Sequence, residues 1–325
     1  MKFHRNILDI DVAQESERIE KAIRETVLRR FKRRGVVIGV SGGIDSSVVL
    51  ALAVRALGAN RVTAFTLPEK ESSGDSEQLA IELTQQYGVE LFKEDLTDML
   101  TAAKCYVNRD AAVRHLFPDY DPDEHGIKIT LPGDLLEKSS LNVFSLVIID
   151  KSGNERSRLM PPKTFLEIVA ASNFKQRSRM MTLYYHAEKR NYAVIGTANK
   201  DEHMQGFFVK YGDGGVDLQP IQHLFKTQVF QLAAHVGVPQ SIIDRIPTTD
   251  TYSAGSSQEE FFYRLPFDLM DPIWYGLEND IPAEDVAEAF DLTPQQVENV
   301  YRELRQKIRT TAYLRAVPAA LSSPA

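Results

Sequence analysis

The chain has 325 residues, 43% of them hydrophobic, and its 38 basic and 45 acidic residues give a formal net charge of −7. This length and composition suffice for a full hydrophobic core, and an acidic balance without a basic stripe argues against nucleic acid as a partner. Cys105 is the one cysteine, which excludes an intramolecular disulfide framework or Cys-rich metal site and is typical of a reducing compartment. Because the first 20 residues lack a signal-peptide core and no run of 18 apolar residues occurs, we expect a cytoplasmic protein with no membrane partner.

Helices and strands are predicted to alternate over the first 200 residues. The predicted helices cover 15–34, 48–57 and 76–87, and the predicted strands cover 36–40, 62–67, 89–92 and 193–196. Short β-branched strands joined by helices at this spacing are typical of parallel βαβ units, so we predict an α/β fold with a doubly wound parallel sheet. Such sheets bind ligands beyond the carboxyl ends of their strands. The loops after Val40, Leu67 and Gly196 should therefore face one crevice.

Two regions interrupt this pattern. Residues 105–162 are rich in Asp and Pro around one clear strand, 145–150, and we interpret them as an insertion or lid. Residues 250–325 are predicted to form a C-terminal helical extension, with helices at 282–290 and 293–308. That pair also fits a DNA-binding helix-turn-helix, but Glu298 and Glu303 on its second helix favour a packed terminal hairpin. We interpret residues 1–325 as one domain with these two additions.

The sequence SGGIDSS, residues 41–47, follows the first strand directly and leads into a helix. Adjacent glycines let the backbone approach an anion, and the N–H groups and dipole of the next helix favour negative charge. Neither G-x-x-x-x-G-K-[ST] nor G-x-G-x-x-G is present, and a strand-to-helix turn without a ligand is the alternative interpretation. In its strand and helix context this segment resembles the pyrophosphate loop of the N-type ATP pyrophosphatase superfamily. Members of that superfamily cleave ATP between the α and β phosphates and place AMP on an oxygen of the substrate.

A second block, NYAVIGTANKDEHMQGFFVKYGDGGVDLQP at residues 191–220, resembles the ammonia-dependent NAD synthetases. In that family the stretch has the form GT-x-x-x-x-E followed by G-[FY]-F-x-K-[FY]-GDGG-x-D, and every fixed position is filled here. Segments 173–180, 225–228 and 246–248 keep the family's spacing as well. The resemblance implies an adenine nucleotide alpha hydrolase-like fold and an enzyme that uses ATP and Mg²⁺ to amidate deamido-NAD through an acyl adenylate, with ammonia as the nitrogen donor and AMP and pyrophosphate as products.

The resemblance also assigns roles to individual residues. ATP-binding positions would be Gly39, Ser41, Gly42, Gly43, Asp45, Ser46, Ser47, Thr197, Lys226 and Thr248. Deamido-NAD would be held by Arg177, Lys210 and Asp217. Asp45 and Glu202 are hard oxygen ligands suited to Mg²⁺, although either carboxylate could instead cap a helix.

Catalysis is expected to involve Asp45, Lys226 and Asp213. The resemblance implies that Lys226 reaches the ATP phosphates, where it would stabilise the charge that builds as pyrophosphate leaves, and that Asp45 acts as a Mg²⁺ ligand. Asp213, in the glycine-rich turn, is the candidate base for the attacking ammonium, with His203 and His223 as alternatives that are more typical of structural or surface residues.

The chain departs from the family at its C-terminus, where Tyr313 and Leu314 stand in place of a His-Lys pair that contacts deamido-NAD. An alternative is therefore a related amide ligase that acts on a different carboxylate, and an alternative of another class is a nucleotide-binding regulator without turnover. Family resemblance further implies a homodimer, with residues 6–31 and 174–185 as plausible contributors. Since few residues precede the loop and there is no second cysteine, ammonia would come free or from a separate glutaminase.

Overall fold

The computed structural model describes residues 3–72, 74–131, 135–137, 144–249, 253–254 and 256–320, and only the backbone of 248, 249, 256, 259 and 260. The strands are β1 (Val36–Gly39), β2 (Val62–Thr66), β3 (Glu90–Lys93), β4 (His125–Thr130), β5 (Ser145–Asp150), β6 (Glu155–Leu159), β7 (Ala193–Val194), β8 (Thr248–Thr249) and β9 (Ser256–Ser257). The helices are α1 (Val12–Arg24), α2 (Ile44–Leu57), α3 (Gly74–Tyr87), α4 (Thr97–Ala102), α5 (Cys105–Arg114), α6 (Pro162–Arg190), α7 (Lys200–Gln205), α8 (Lys226–Val236), α9 (Gln240–Ile243), α10 (Phe267–Glu278), α11 (Ala283–Phe290), α12 (Pro294–Thr310) and α13 (Ala312–Arg315). Within the described ranges, no helix combines the length and the apolar character that crossing a bilayer requires.

The main sheet has four parallel strands in the order β3-β2-β1-β7. Side chains alternate between its faces because successive residues of a strand point in opposite directions. Val36 and Ile38 pack with α1, α2 and α8, whereas Val37 packs with Met180 and Leu183 of α6. Helices therefore cover both faces, which confirms the predicted doubly wound α/β fold.

The first helix and the fourth strand differ from their predicted bounds. The first helix starts at Val12, where Asp11 accepts a hydrogen bond from the backbone of Gln14, and it changes to a π-helix over Glu25–Arg30. It therefore ends short of residue 34, and Lys32 adopts a positive φ of 54°. The fourth strand is shorter than 193–196, because beyond Val194 only a single bridge continues the pairing.

Residues 105–162 contain more regular structure than the sequence predicts. Besides α5 they form an antiparallel sheet in the order β4-β5-β6, of which only β5 was predicted. A separate apolar cluster, including Phe117, Ile127 and Ile148, packs this sheet against α5 and the start of α6. The limits 105 and 162 of the insertion stay a prediction.

The C-terminal helices α10, α11 and α12 pack around Trp274, which confirms a helical C-terminal segment. α12 begins with a capping box between Thr293 and Gln296 and buries Val297, Val300 and Leu304. It packs against α10 and α11, as the packed hairpin interpretation requires. This segment also contacts α7 and α8, whose first turns lie at the crevice.

Candidate active site

The loop between β1 and α2 has the geometry that an anion-binding turn needs. Gly42 has a φ of +72°, and a Cβ atom there would lie 2.6 Å from the carbonyl oxygen of Ser76, so only glycine fits without strain. Gly43 is the N-cap of α2 and offers no side-chain cap, which leaves N–H groups of the first turn available to a ligand. The hydroxyls of Ser46 and Ser47 both donate to the Gly43 carbonyl oxygen at 2.9 Å and brace the turn.

A buried ion pair lies beside this loop. Lys226, the first residue of α8, donates from Nζ to Asp45 Oδ2, and the two side chains are only 1% and 14% exposed. Asn199 donates from Nδ2 to the other Asp45 oxygen at 2.8 Å. Burial opposes the charge on Lys226, but the carboxylates of Asp45 and Glu202 outweigh it and raise the pKa of the lysine. A cation is thus fixed next to the glycine turn.

Glu202 caps a helix, which is one of the two roles that the sequence analysis left open for it. Its Oε2 accepts from the backbone N–H of Asn199 at 3.2 Å and its own N–H donates to the Asn199 side chain at 3.0 Å, so it completes a capping box at the start of α7. It also lines the crevice. Burial, together with the negative charge of Asp45, raises the pKa of Glu202 to about 8.

Two adjacent cavities extend from the loop. The smaller, of about 120 Å³, lies over the loop, and the larger has about 560 Å³. Both are lined by Ser41, Thr197, Glu202 and Gln258. Besides these four, the smaller cavity is lined by Gly43, Ile44, Asp45, Ser46, Lys226, Ile242, Arg245, Ile246 and Pro247.

The larger cavity is lined by both apolar and polar side chains. The stacked rings of Phe144 and Phe165, with centroids 4.6 Å apart, are among the apolar ones. Arg177 and Lys210, for which substrate binding is a prediction, also line this cavity, as does Leu314. In this structure Lys210 Nζ donates to the backbone carbonyl oxygen of Tyr313 at 3.0 Å, so the cation contacts the C-terminal segment.

Asp213 also lines the larger cavity. Its Oδ1 accepts from the backbone N–H of Val209 at 2.9 Å, and burial raises its pKa to about 6. Such a carboxyl is a better base at neutral pH than an ordinary aspartate.

Of the predicted binding residues with described side chains, Gly42, Ser47 and Asp217 are absent from the linings of both cavities. Asp217 is exposed and accepts from the Val194 N–H at 2.8 Å and the Tyr184 hydroxyl at 3.1 Å. Its contact with substrate stays a prediction. Thr248 lies in β8, but its side chain is outside the described part of the structure.

Sequence reasoning missed Asn199 and Arg245. The spacing Asn-x-x-Glu is a capping-box signature and could have identified Asn199 as a helix cap. It could not have predicted the contact of Asn199 with Asp45. Arg245 donates to Ser76 Oγ at 3.1 Å and adds a cation to the wall of the smaller cavity. Its only sequence signal was its position directly before the 246–248 segment.

A parallel sheet with a glycine turn at its edge and a buried lysine and carboxylates around it defines an α/β nucleotide-binding protein. The NAD synthase family model matches residues 15–116 and 135–318. The chain therefore belongs to the NAD synthase family.

Relatives agree with this placement, and solved structures share the fold. The chain is 46% identical to an NH(3)-dependent NAD(+) synthetase of Rhizobium meliloti (strain 1021), covering 97% of this chain and 94% of the relative. It is 37% identical to the enzyme of that name from Thermotoga maritima, over 87% and 92% of the two chains. The NH3-dependent NAD synthetase structure from Campylobacter jejuni shares the fold with a TM-score of 0.61 at 22% identity, covering 96% of this chain and all of that one. An NMN synthetase structure from Francisella tularensis has the same TM-score at 21% identity, covering 97% and 100%.

Proposed function

We propose that the chain is an ammonia-dependent NAD synthetase, which uses ATP to activate the carboxylate of deamido-NAD and converts it to the amide. The observation that carries this proposal is the buried pair of Lys226 and Asp45 beside the glycine turn, with Glu202 facing the same crevice. A protein that only binds nucleotide has no need of so costly an arrangement of buried charges. The pair therefore favours turnover over a purely regulatory role.

In the first step an oxygen of the substrate carboxylate bonds to the α-phosphorus of ATP. The bond between that phosphorus and the oxygen bridging it to the β-phosphorus breaks. Pyrophosphate leaves over the loop, where the N–H groups at the start of α2 and the ammonium of Lys226 meet its charge. Arg245 lies on the same wall and can add a second positive charge. The larger cavity would hold the AMP portion and the acceptor.

We propose that Asp45 and Glu202 hold Mg²⁺ through one carboxylate each. The donors fit: both are hard oxygen ligands, and burial next to the charge of Asp45 raises the pKa of Glu202, an unfavourable effect that a divalent cation would offset. Bound Mg²⁺ would neutralise phosphate charge, with its remaining ligands coming from phosphate oxygens and water. Among the described residues, no three His, Cys, Asp or Glu side chains are grouped so that they could hold a metal ion together. The proposed site therefore has two protein ligands.

In the second step ammonia attacks the acyl carbon, AMP leaves, and the nitrogen gives up its proton. Asp213 lines the larger cavity, and its raised pKa suits it to accept that proton. Ammonia would enter from solution or be delivered by a separate glutaminase.

We further propose a homodimer formed through α6. Leu166, Phe174, Met181 and Tyr185 are 43–64% exposed and recur at steps of eight, seven and four, which places them along one face of this long helix. Sedimentation should give twice the chain mass, and Met181→Glu should shift it toward the monomer. A monomeric wild-type protein at micromolar concentration would contradict the homodimer.

The experiment that tests the function is incubation with ATP, Mg²⁺, ammonium and deamido-NAD, followed by identification of products by mass. We expect NAD, AMP and pyrophosphate in equal amounts, with ammonium accepted and glutamine ignored. Parallel reactions with nicotinate mononucleotide and other carboxylates test for an alternative acceptor. They are included because Leu314, which lines the larger cavity, stands in place of a family residue that contacts deamido-NAD. ADP and phosphate as products, or no amide from deamido-NAD, would refute the proposal.

A further inference from the structure

The N-terminus of α8 is held by two carboxyl groups from other helices. Its own N-cap, Phe225, makes no side-chain cap. Lys226 donates from its backbone N–H to Asp201 Oδ2 at 2.6 Å, and Thr227 donates through both N and Oγ1 to Asp271 Oδ2 at 2.9 Å. Asp201 lies on α7 and Asp271 on α10, and both are 0% exposed. The first turn of α8 is thus fixed by groups outside the helix.

This arrangement costs more than a cap requires, because a Ser or Thr at the N-cap would satisfy an N–H group without burying an acid. The remaining oxygen of each carboxyl, Oδ1, accepts from no N–H or hydroxyl group in the parts of the chain that the structure covers. The two carboxyl groups contact each other, and burial raises the pKa of both, that of Asp271 to about 7. Two such groups side by side need one shared proton.

We infer that Asp271, on the C-terminal helical segment, is a positioning residue that fixes the first turn of α8 so that the Lys226 ammonium meets the leaving pyrophosphate. This inference rests on the proposed function, since it needs Lys226 to act on phosphate. Asp271 touches no reacting group itself and acts through Thr227, the neighbour of Lys226. It also gives α10 a direct connection to the crevice. The C-terminal segment therefore contributes to catalysis as well as to the core.

The test is a double-mutant cycle of Asp271→Ala and Lys226→Ala, with kcat and the KM for ATP measured for NAD formation. We expect Asp271→Ala to lower kcat by on the order of tenfold or more, with KM changed less than about twofold, because a misplaced cation loses mainly transition-state contact. In the Lys226→Ala background the same change should have an effect of less than about twofold, since there is no ammonium left to position. A purely structural role would give the same loss in both backgrounds.

Two variants sharpen the comparison. Asp271→Asn keeps an oxygen for Thr227 and offers an N–H group to Asp201 in place of the shared proton, so we expect kcat within about threefold of wild type. Tyr301→Phe removes another buried hydrogen bond of the same segment, to the Ile281 carbonyl at 3.1 Å, and should leave kcat unchanged. If Asp271→Ala does not fold, Thr227→Ala takes its place, with a loss of about threefold that disappears without Lys226.

Equal losses in both backgrounds, or an Asp271→Ala enzyme with wild-type kcat, would overturn the inference. A wild-type protein that makes no NAD would instead refute the proposed function. The cycle would then be run on AMP release with whichever carboxylate supports it, and the same criteria would apply.

Discussion

Replacement of Lys226 by Met tests the centre of the proposed mechanism. The side chain is 1% exposed and pairs with Asp45, so the change removes a cation from the crevice while keeping most of the side-chain volume. Losing one preorganised electrostatic contact to a developing charge typically costs about 2.7–4 kcal/mol, so we expect kcat to fall by about 10²–10³-fold. Coupled assay of NAD formation at saturating ATP, Mg²⁺ and ammonium measures this directly.

The stability cost of the same change can be separated from the catalytic one. Breaking a buried ion pair costs about 3–5 kcal/mol, and the low end applies here because Asp45 keeps its hydrogen bond from Asn199 and is 14% exposed. We therefore expect the melting temperature to drop by roughly 4–5 °C. The folded fraction at 25 °C should stay high, so a lower rate would not come from unfolding.

Lys200→Met is the matched control. Lys200 lies on α7, pairs with Glu278 and is stacked over Phe225, with its ammonium 4.1 Å from the ring centre. It lines neither cavity, so its loss should leave kcat within about threefold of wild type. A Lys226→Met enzyme whose kcat matches this control would refute the assigned role of the lysine.

Three further predictions follow from the site and the C-terminal segment. Glu202→Gln should raise the Mg²⁺ concentration needed for half-maximal rate by more than tenfold, because it removes a charge from the proposed ligands; an unchanged titration would exclude Glu202 from the metal site. Tyr313→His with Leu314→Lys should lower the KM for deamido-NAD by about tenfold, since Leu314 lines the cavity and one charge-assisted contact is worth about 1.5–3 kcal/mol; kinetics showing no change would mean that other cations already serve the substrate. Burial lowers the pKa of Lys307 to about 8 from about 10.5, its ordinary value and the one expected in the unfolded chain. Between these two pH values the unfolded chain binds more protons than the folded one. The free energy of unfolding should therefore rise with pH across this range, by up to about 3 kcal/mol. Lys307→Met should flatten this rise, and denaturant unfolding at pH 7.5 and 9.5 would show whether it does.

The sequence by itself determined the class of fold and the position of the phosphate loop. Short β-branched strands at regular spacing specify a parallel sheet, and SGGIDSS supplies local chemistry, a glycine turn and a helix start, that works without reference to distant residues. The family placement was also readable, because the motif at 191–220 fills every fixed position in one stretch of chain. These properties are local in sequence, so they survive without tertiary information.

Only the tertiary structure decided which side chains meet. Lys226 and Asp45 are 181 residues apart, and their pairing follows from the packing of α8 against α2. The packing of α10 against α8 brings Asp271 into contact with Thr227, whereas Asp217 is absent from the linings of both cavities, although the two acids look alike in the sequence. The raised pKa of Glu202 likewise depends on burial and on the charge of Asp45. Contacts between distant residues, and the hydration that burial removes, are set by the packed fold, so no local pattern of residues could have specified them.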